Sequence, residues 1–171
     1  MEPGKETHTM DASLVALLAD RAGALGAAVE TALLAQDVPH YRDAHPRVLR
    51  DRCDRLVAAF VEAARQGGPQ SFEQYVRSIV DERVSEGFAL REVQHALSAL
   101  ESRLWPTVVD AGGDTATVVR RLALVTGIVG RGKDELARAF LERKEKAEAQ
   151  VATLSQRLDS LFKGTEPTPE G

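Results

Sequence analysis

Four histidines, one cysteine and runs of alternating Asp and Arg are the side chains of this sequence whose types could do chemistry. His40 and His45 flank a turn and could offer imidazole nitrogens to a metal ion. Their spacing matches no known ligand signature, and neither a nearby Cys nor a helical His-x-x-x-His completes a set. His95 is the tempting haem ligand. On a helical wheel it falls nearly opposite the Leu90, Val93, Leu97 and Leu100 stripe, beside Arg91, Ser98 and Ser102, so it is expected to face solvent or an interface. His8 sits in a polar start. Cys53, being alone, can form neither an internal disulfide nor a Cys-based metal site. Asp51 and Asp54 could act as paired carboxylates, but they alternate with Arg50, Arg52 and Arg55, the pattern of a solvated mixed-charge helix face. Gly130-Arg-Gly132 is too short for a dinucleotide fingerprint and follows a helix rather than a strand. Arg120-Arg121 and Arg131-Gly-Lys133 are isolated basic spots without the aromatic interleaving of a nucleic-acid surface. No catalytic, metal or cofactor-binding residue is assigned, and the chain is expected to be no enzyme.

Arg83 is a charged residue placed where a charge is unwelcome. It continues the Phe72, Val76 and Ile79 stripe by another helical turn and so projects toward the apolar side. A guanidinium does not give up its proton, so burial demands a carboxylate or several carbonyls. Two readings follow: a side chain snorkelling at a helix end, or a buried ion pair or anion contact tied to signalling. Arg83 is therefore the candidate buried signalling position.

The most specific pattern lies near the end. Phe140, Lys144, Ala147, Val151, Leu154, Leu158 and Leu161 are spaced 4, 3, 4, 3, 4, 3, the alternation of a coiled-coil seam. Phe140, Ala147, Leu154 and Leu161 take position d, and Lys144, Val151 and Leu158 take position a. Leucine at d with Val151 at a favours a parallel dimer, and a single Lys at a restricts register at some cost in stability. In that register Arg143 would face Glu148 of a partner helix. The alternative is an amphipathic helix folded back on its own domain. The stripe must bury against something, because an isolated polar-rich helix is poorly stable.

Between its two ends the sequence shows helical periodicity and no convincing alternating strand. A first helix starts near Asp11 or Ser13 and carries Leu14, Leu18, Leu25, Val29 and Leu33, with Gly23 and Gly26 marking a close crossing. Asp37-Val38-Pro39 breaks it. A second begins at Pro46 with Leu49, Cys53, Leu56, Phe60 and Ala64 inward and ends at Gly67-Gly68-Pro69. Ser71-Phe-Glu-Gln74 reads as a capping box for a third, which Gly87 ends. A fourth carries Leu90 to Leu104, with a kink or restart at Trp105-Pro106. Asp114 caps a last helix running to about Phe162, in which Gly127, Gly130 and Gly132 allow a kink.

The chain has 171 residues, 43% hydrophobic and 28% charged, with a formal net charge of −4. That supplies a core and gives no overall pull toward nucleic acid or anionic membrane. Met1–Met10 has no apolar stretch of signal-peptide length, and no segment reads as a membrane span. A cytoplasmic protein is expected. The expected organisation is a polar disordered start at 1–10, a helical domain at 11–130, a coiled-coil helix at 131–163 and a disordered tail at 164–171.

Asp81-Glu-Arg-Val-Ser-Glu-Gly-Phe-Ala-Leu-Arg-Glu-Val-Gln-His-Ala-Leu-Ser-Ala-Leu100 resembles the N-terminal domain family of the RsbT co-antagonists, the RsbR-type stressosome sensors. The shared pattern is an arginine four residues before a glycine, then an apolar residue and a leucine-rich helix: Arg83, Gly87, Phe88, Leu90-Arg-Glu-Val93, Leu97 and Leu100. It continues more weakly through Phe140-Leu-Glu-Arg143 and covers about residues 11–162. The resemblance implies an all-α, globin-like bundle without haem, and a homodimer whose last helix runs on as a coiled linker. It implies a sensory role in stress response or sigma-factor regulation, relayed to a regulatory partner of STAS-domain or switch-kinase type. The family linker usually leads to an output domain. The sequence ends at Gly171 without one, so the output is expected in a partner chain or beyond this sequence. Globin-coupled sensors are also similar here, with a histidine four residues before the glycine. Arg83 holds that place and is a poor iron ligand. A haem- or small-ligand-binding globin-type sensor and a plain adaptor dimer are the alternatives.

Overall fold

Helical periodicity carries the whole of residues 12–163, which the computed structural model describes, and no strand forms among them. The elements are α1 (Ala12–Asp20), α2 (Ala22–Leu34), α3 (Pro39–Arg42), α4 (Pro46–Gln66), α5 (Gln70–Ser85), α6 (Leu90–Asp110) and α7 (Thr115–Lys163). The protein is an all-α bundle with a long C-terminal helix. In it α2 packs on α4 and α6, and α5 and α6 pack on α7.

The single first helix expected from sequence is two. α1 and α2 meet at 63°, with Arg21 between them at φ −91° and ψ 1°. Each half keeps its stripe buried, Leu14 and Leu18 in α1 and Leu25, Val29 and Leu33 in α2. The bend lets both stripes follow the curve of the bundle. Asp11 lies outside the described residues. Ser13 sits within α1, where its hydroxyl accepts from Arg121 at 2.7 Å. The close crossing falls at Gly26, where a Cβ would strike the Asp54 side chain on α4, whereas a Cβ on Gly23 would meet nothing.

α3 was not legible as a helix. Pro39 opens this single turn and Tyr41 anchors it in the core. α4 begins at Pro46 and buries all five expected residues before Gly67 ends it at φ 71°. The expected capping box of α5 does not form. Pro69 occupies the cap position, so Ser71 falls inside the first turn and its hydroxyl is buried without a hydrogen-bond partner. α6 runs through Pro106 without restarting. Asp114 caps α7 by accepting the Thr117 N–H at 2.7 Å.

α7 has 49 residues and crosses Gly127–Gly132 unbroken. These glycines differ. A Cβ on Gly132 would lie 2.5 Å from Phe72 Cε1, so α5 and α7 touch there only because the side chain is missing, while a Cβ on Gly127 would meet nothing within 4 Å. Phe60 and Phe72, edge to face at 5.9 Å, fill the centre with Leu97, Leu100, Leu104, Ile128 and Leu136. Among the described residues no single helix is long and apolar enough to cross a membrane.

Two substitutions separate these roles. Gly132→Val forces Phe72 aside and should destabilise the protein by about 1–3 kcal/mol. Gly127→Ala removes a helix-interior glycine from open space and should stabilise by about 1 kcal/mol. Urea denaturation of both variants checks the opposite signs.

Candidate functional site

The site grows from the way α5 stops. Glu86 caps the helix and Gly87 takes φ 87°. The Phe88 N–H then donates to the Arg83 carbonyl at 2.9 Å and the Gly87 N–H to the Val84 carbonyl at 3.1 Å. This is the Schellman arrangement, in which the residue after the glycine packs on the residue three before the cap. Those residues are Phe88 and Arg83, so a guanidinium takes the place of an apolar contact. It sits 5.6 Å from the Phe88 ring centroid.

Phe88 gathers side chains from three helices, α3, α4 and α5. The Arg52 guanidinium of α4 lies 5.8 Å from its centroid. From α3, His40 stacks on it at 4.5 Å and Tyr41 meets its edge at 5.3 Å. Glu86 serves both guanidiniums, accepting from Arg83 at 3.0 Å and from Arg52 at 2.6 Å. Glu82 adds a contact to Arg83 at 3.1 Å. Glu92 of α6 accepts the Ala89 N–H at 2.7 Å and faces His40 Nδ1 at 2.9 Å, and its carbonyl accepts from the Tyr41 hydroxyl at 2.9 Å.

Arg83 is therefore buried, its side chain 6% exposed, and paired with carboxylates at the rim of the core. Of the two readings of this residue, the geometry is that of the ion pair. Beneath it lies a cavity of about 30 Å³ lined by Tyr41, Arg52, Cys53, Tyr75, Arg83 and Leu97 among others. That volume is room for one or two waters, far below a macrocycle. Burial pushes the Cys53 thiol up to about 12, so it stays protonated and unreactive at neutral pH. Burial likewise raises the Tyr41 hydroxyl.

Sequence reasoning missed most of this cluster. Arg52 does not belong to the solvated mixed-charge face. Arg50–Asp54 and Arg55–Asp51 form that face as surface pairs, while Arg52 turns inward to Phe88 and Glu86. The only signal was Arg83 and Glu86 three residues apart before Gly87. His40 spends Nδ1 on Glu92, and His45 caps α4 by accepting the Arg47 N–H at 3.2 Å. His95 is half-buried. No group of three or more metal-ligating residues exists among the described residues. The basic spots serve the chain itself: Arg131 pairs with Glu73 at 2.9 Å, Lys133 with Glu101 at 2.6 Å, and Arg121 is buried.

α5 is clamped to α7 along its length. Glu73 meets Arg131, Arg77 bonds to buried Glu135 and at 2.9 Å to Glu142, and Asp81 lies 3.2 Å from Arg143. Past Arg143 the helix leaves the body. Of the seam residues Phe140 is half-buried, and Lys144 and Ala147 are exposed. Val151, Leu154 and Leu158 are 62%, 58% and 55% exposed. The Leu161 side chain lies outside the described residues. Every residue from Lys144 to Ser160 is exposed, so the stripe does not fold back on its own domain. Arg143 and Glu148, expected to attract across a seam, stand near Asp81 and Lys144 of their own chain.

Fold and site together define an all-helical domain with an ion network at the end of one helix and a long helix projecting from the body. The family model described as the RsbT co-antagonist protein rsbRD N-terminal domain matches residues 23–158, and the chain belongs to that family. Comparison with curated proteins and with solved structures gives no match.

Glu86→Ala strands two guanidiniums at once and should cost about 1–3 kcal/mol. Arg83→Met, which leaves only rim carboxylates that water can reach, should cost less; chemical denaturation ranks the two. Burial pushes the Glu92 carboxyl up, but the Ala89 N–H and the His40 ring outweigh it and hold it below the usual range. A depressed carboxyl stabilises the fold above its unfolded value of about 4.3 and loses that contribution as pH falls through the folded value. Glu92→Gln should therefore flatten the loss of stability below about pH 5, read from urea midpoints across pH.

Proposed function

We propose that this protein is a non-enzymatic, dimeric sensory module of the stressosome type, working in the cytoplasm. Its body would be the haem-free, globin-like domain that the resemblance implies. Two copies pair in parallel through Phe140, Lys144, Ala147, Val151, Leu154, Leu158 and Leu161. The pairing relays the state of the body to a regulatory partner of STAS-domain or switch-kinase type, in stress response or sigma-factor control. The observation that carries this reading is the exposed apolar seam on a helix that is continuous with the domain.

Burying Val151, Leu154 and Leu158 against a second copy removes from water the apolar area that the monomer leaves wet. The same spacing carried back along α7 falls on Ala137, Lys133, Gly130, Thr126, Ala123 and Val119, of which Ala137, Thr126, Ala123 and Val119 are exposed while Lys133, held by Glu101 at 2.6 Å, and Gly130 are half-buried, so the open stripe is broken at its middle. Arg83 enters as the signalling position through α5. A shift of the Phe88 network moves the end of α5, and the ion pairs between α5 and α7 carry that shift to the start of the seam. Two splay angles of the paired helices would form the bistable element.

Leu154→Arg together with Leu158→Arg puts charges at the centre of the seam and should give single chains by light scattering. A dimer of unchanged mass would remove the seam from the mechanism. Capture of STAS or switch-kinase proteins from native extract by the intact chain, and their loss with the double variant, tests the relay itself.

A further inference from the structure

Beside the Phe88 cluster a cleft of about 320 Å³ opens between α3, the start of α4 and the turn from α5 to α6. Its size falls at the lower end of small-molecule sites, about 300 Å³ and upward. Phe88 and Val48 give it an apolar wall, and His40, His45, Arg52 and Glu86 line it. Its acids are already engaged. Asp43 holds Arg42 at 3.1 Å, and Glu86 is shared by Arg52 and Arg83.

Its donors are less fully engaged. Arg52 gives one nitrogen to Glu86, and its Nε, without a hydrogen-bond partner, is closed off from solvent, so a ligand in the cleft meets the guanidinium through its outer nitrogens, on a side chain 15% exposed. His45 accepts the Arg47 N–H on Nδ1, so its neutral ring carries the proton on Nε2 as a further donor. His40 is held by Glu92 on one nitrogen with Phe88 against its face. An apolar wall with a guanidinium and an imidazole N–H at its edge matches a molecule with one anionic end and a short hydrophobic body.

We propose that this cleft binds a small organic carboxylate, its charged end on Arg52 and His45 and its apolar body on Phe88 and Val48. Glu86 holds Arg52 in the structure, so the ligand competes with an internal carboxylate. Because Arg83 shares that carboxylate, occupancy alters the last turn of α5. The cleft is then the input of the relay proposed above, although binding itself does not depend on dimer formation.

The test is a two-dimensional NMR titration of the full chain with benzoate, using benzamide as the neutral isostere. Benzoate should shift the signals of residues around Phe88, and benzamide should bind at least about tenfold more weakly. Arg52→Gln should weaken benzoate about tenfold, and His45→Ala, at an exposed position, by a smaller factor. Glu86→Gln, which removes the internal competitor, should bind benzoate more tightly than the parent. Equal binding of acid and amide, absence of shifts at the cleft, or an affinity unmoved by both Arg52→Gln and Glu86→Gln would overturn the site. The double variant Leu154→Arg/Leu158→Arg keeps the two proposals apart. Benzoate binding to a monomer supports the cleft alone, and a dimer without benzoate binding leaves only the relay.

Discussion

A guanidinium cannot lower its burial cost by losing a proton, so a chain that buries one must bring the counter-charge to it. Arg83 sets this condition at the end of α5, and much of the local structure meets it. The helix stops one turn later at Gly87, which places Glu86 within 3.0 Å and lays Phe88 against the guanidinium. Arg52 joins from α4 on the same carboxylate, and Tyr41 and His40 close the other side from α3. The carboxylates stay at the rim, Glu82 46% and Glu86 34% exposed, so only the cation gives up most of its water. The arrangement is less a stabilising device than a solved electrostatic problem, and such networks have few alternative solutions.

That problem is solved at one end of a helix whose whole length is tied to α7. Gly132 lets Phe72 come into contact, and the pairs from Glu73 to Asp81 follow α7 from Arg131 to Arg143. Exposed ion pairs are each worth little, from nothing to about 1 kcal/mol. Glu135 is different, because it is buried and takes both Arg77 and Arg138. Sliding α5 along α7 would break the contact between Arg77 and the buried Glu135.

Past Arg143 the energetics change. The helix continues with no body beneath it, and its apolar residues lie in water. Helix propensity and one internal pair, Lys144–Glu148 at 3.7 Å, are weak support for so long a projection. Such a segment gains its stability from whatever lies against it.

The sequence by itself determined the helices. Stripes at three- and four-residue steps marked α4, α6 and α7, and Pro46, Gly67, Gly87 and Asp114 punctuated them, because caps and periodicity are local properties of the chain. The motif around Gly87 was enough to show the family resemblance, and the place of Arg83 on an apolar face was enough to single it out. Tertiary structure decided the rest. The bend at Arg21, the single turn of α3 and the failed cap at Ser71 depend on what neighbouring helices offer, as does the unbroken run through Gly132. Arg52 looked like a surface residue because its own helix gives it charged neighbours. Only the arrival of Phe88 and Glu86 from 34 and more residues away turned it into the site, and contacts of that sequence separation leave no periodic trace.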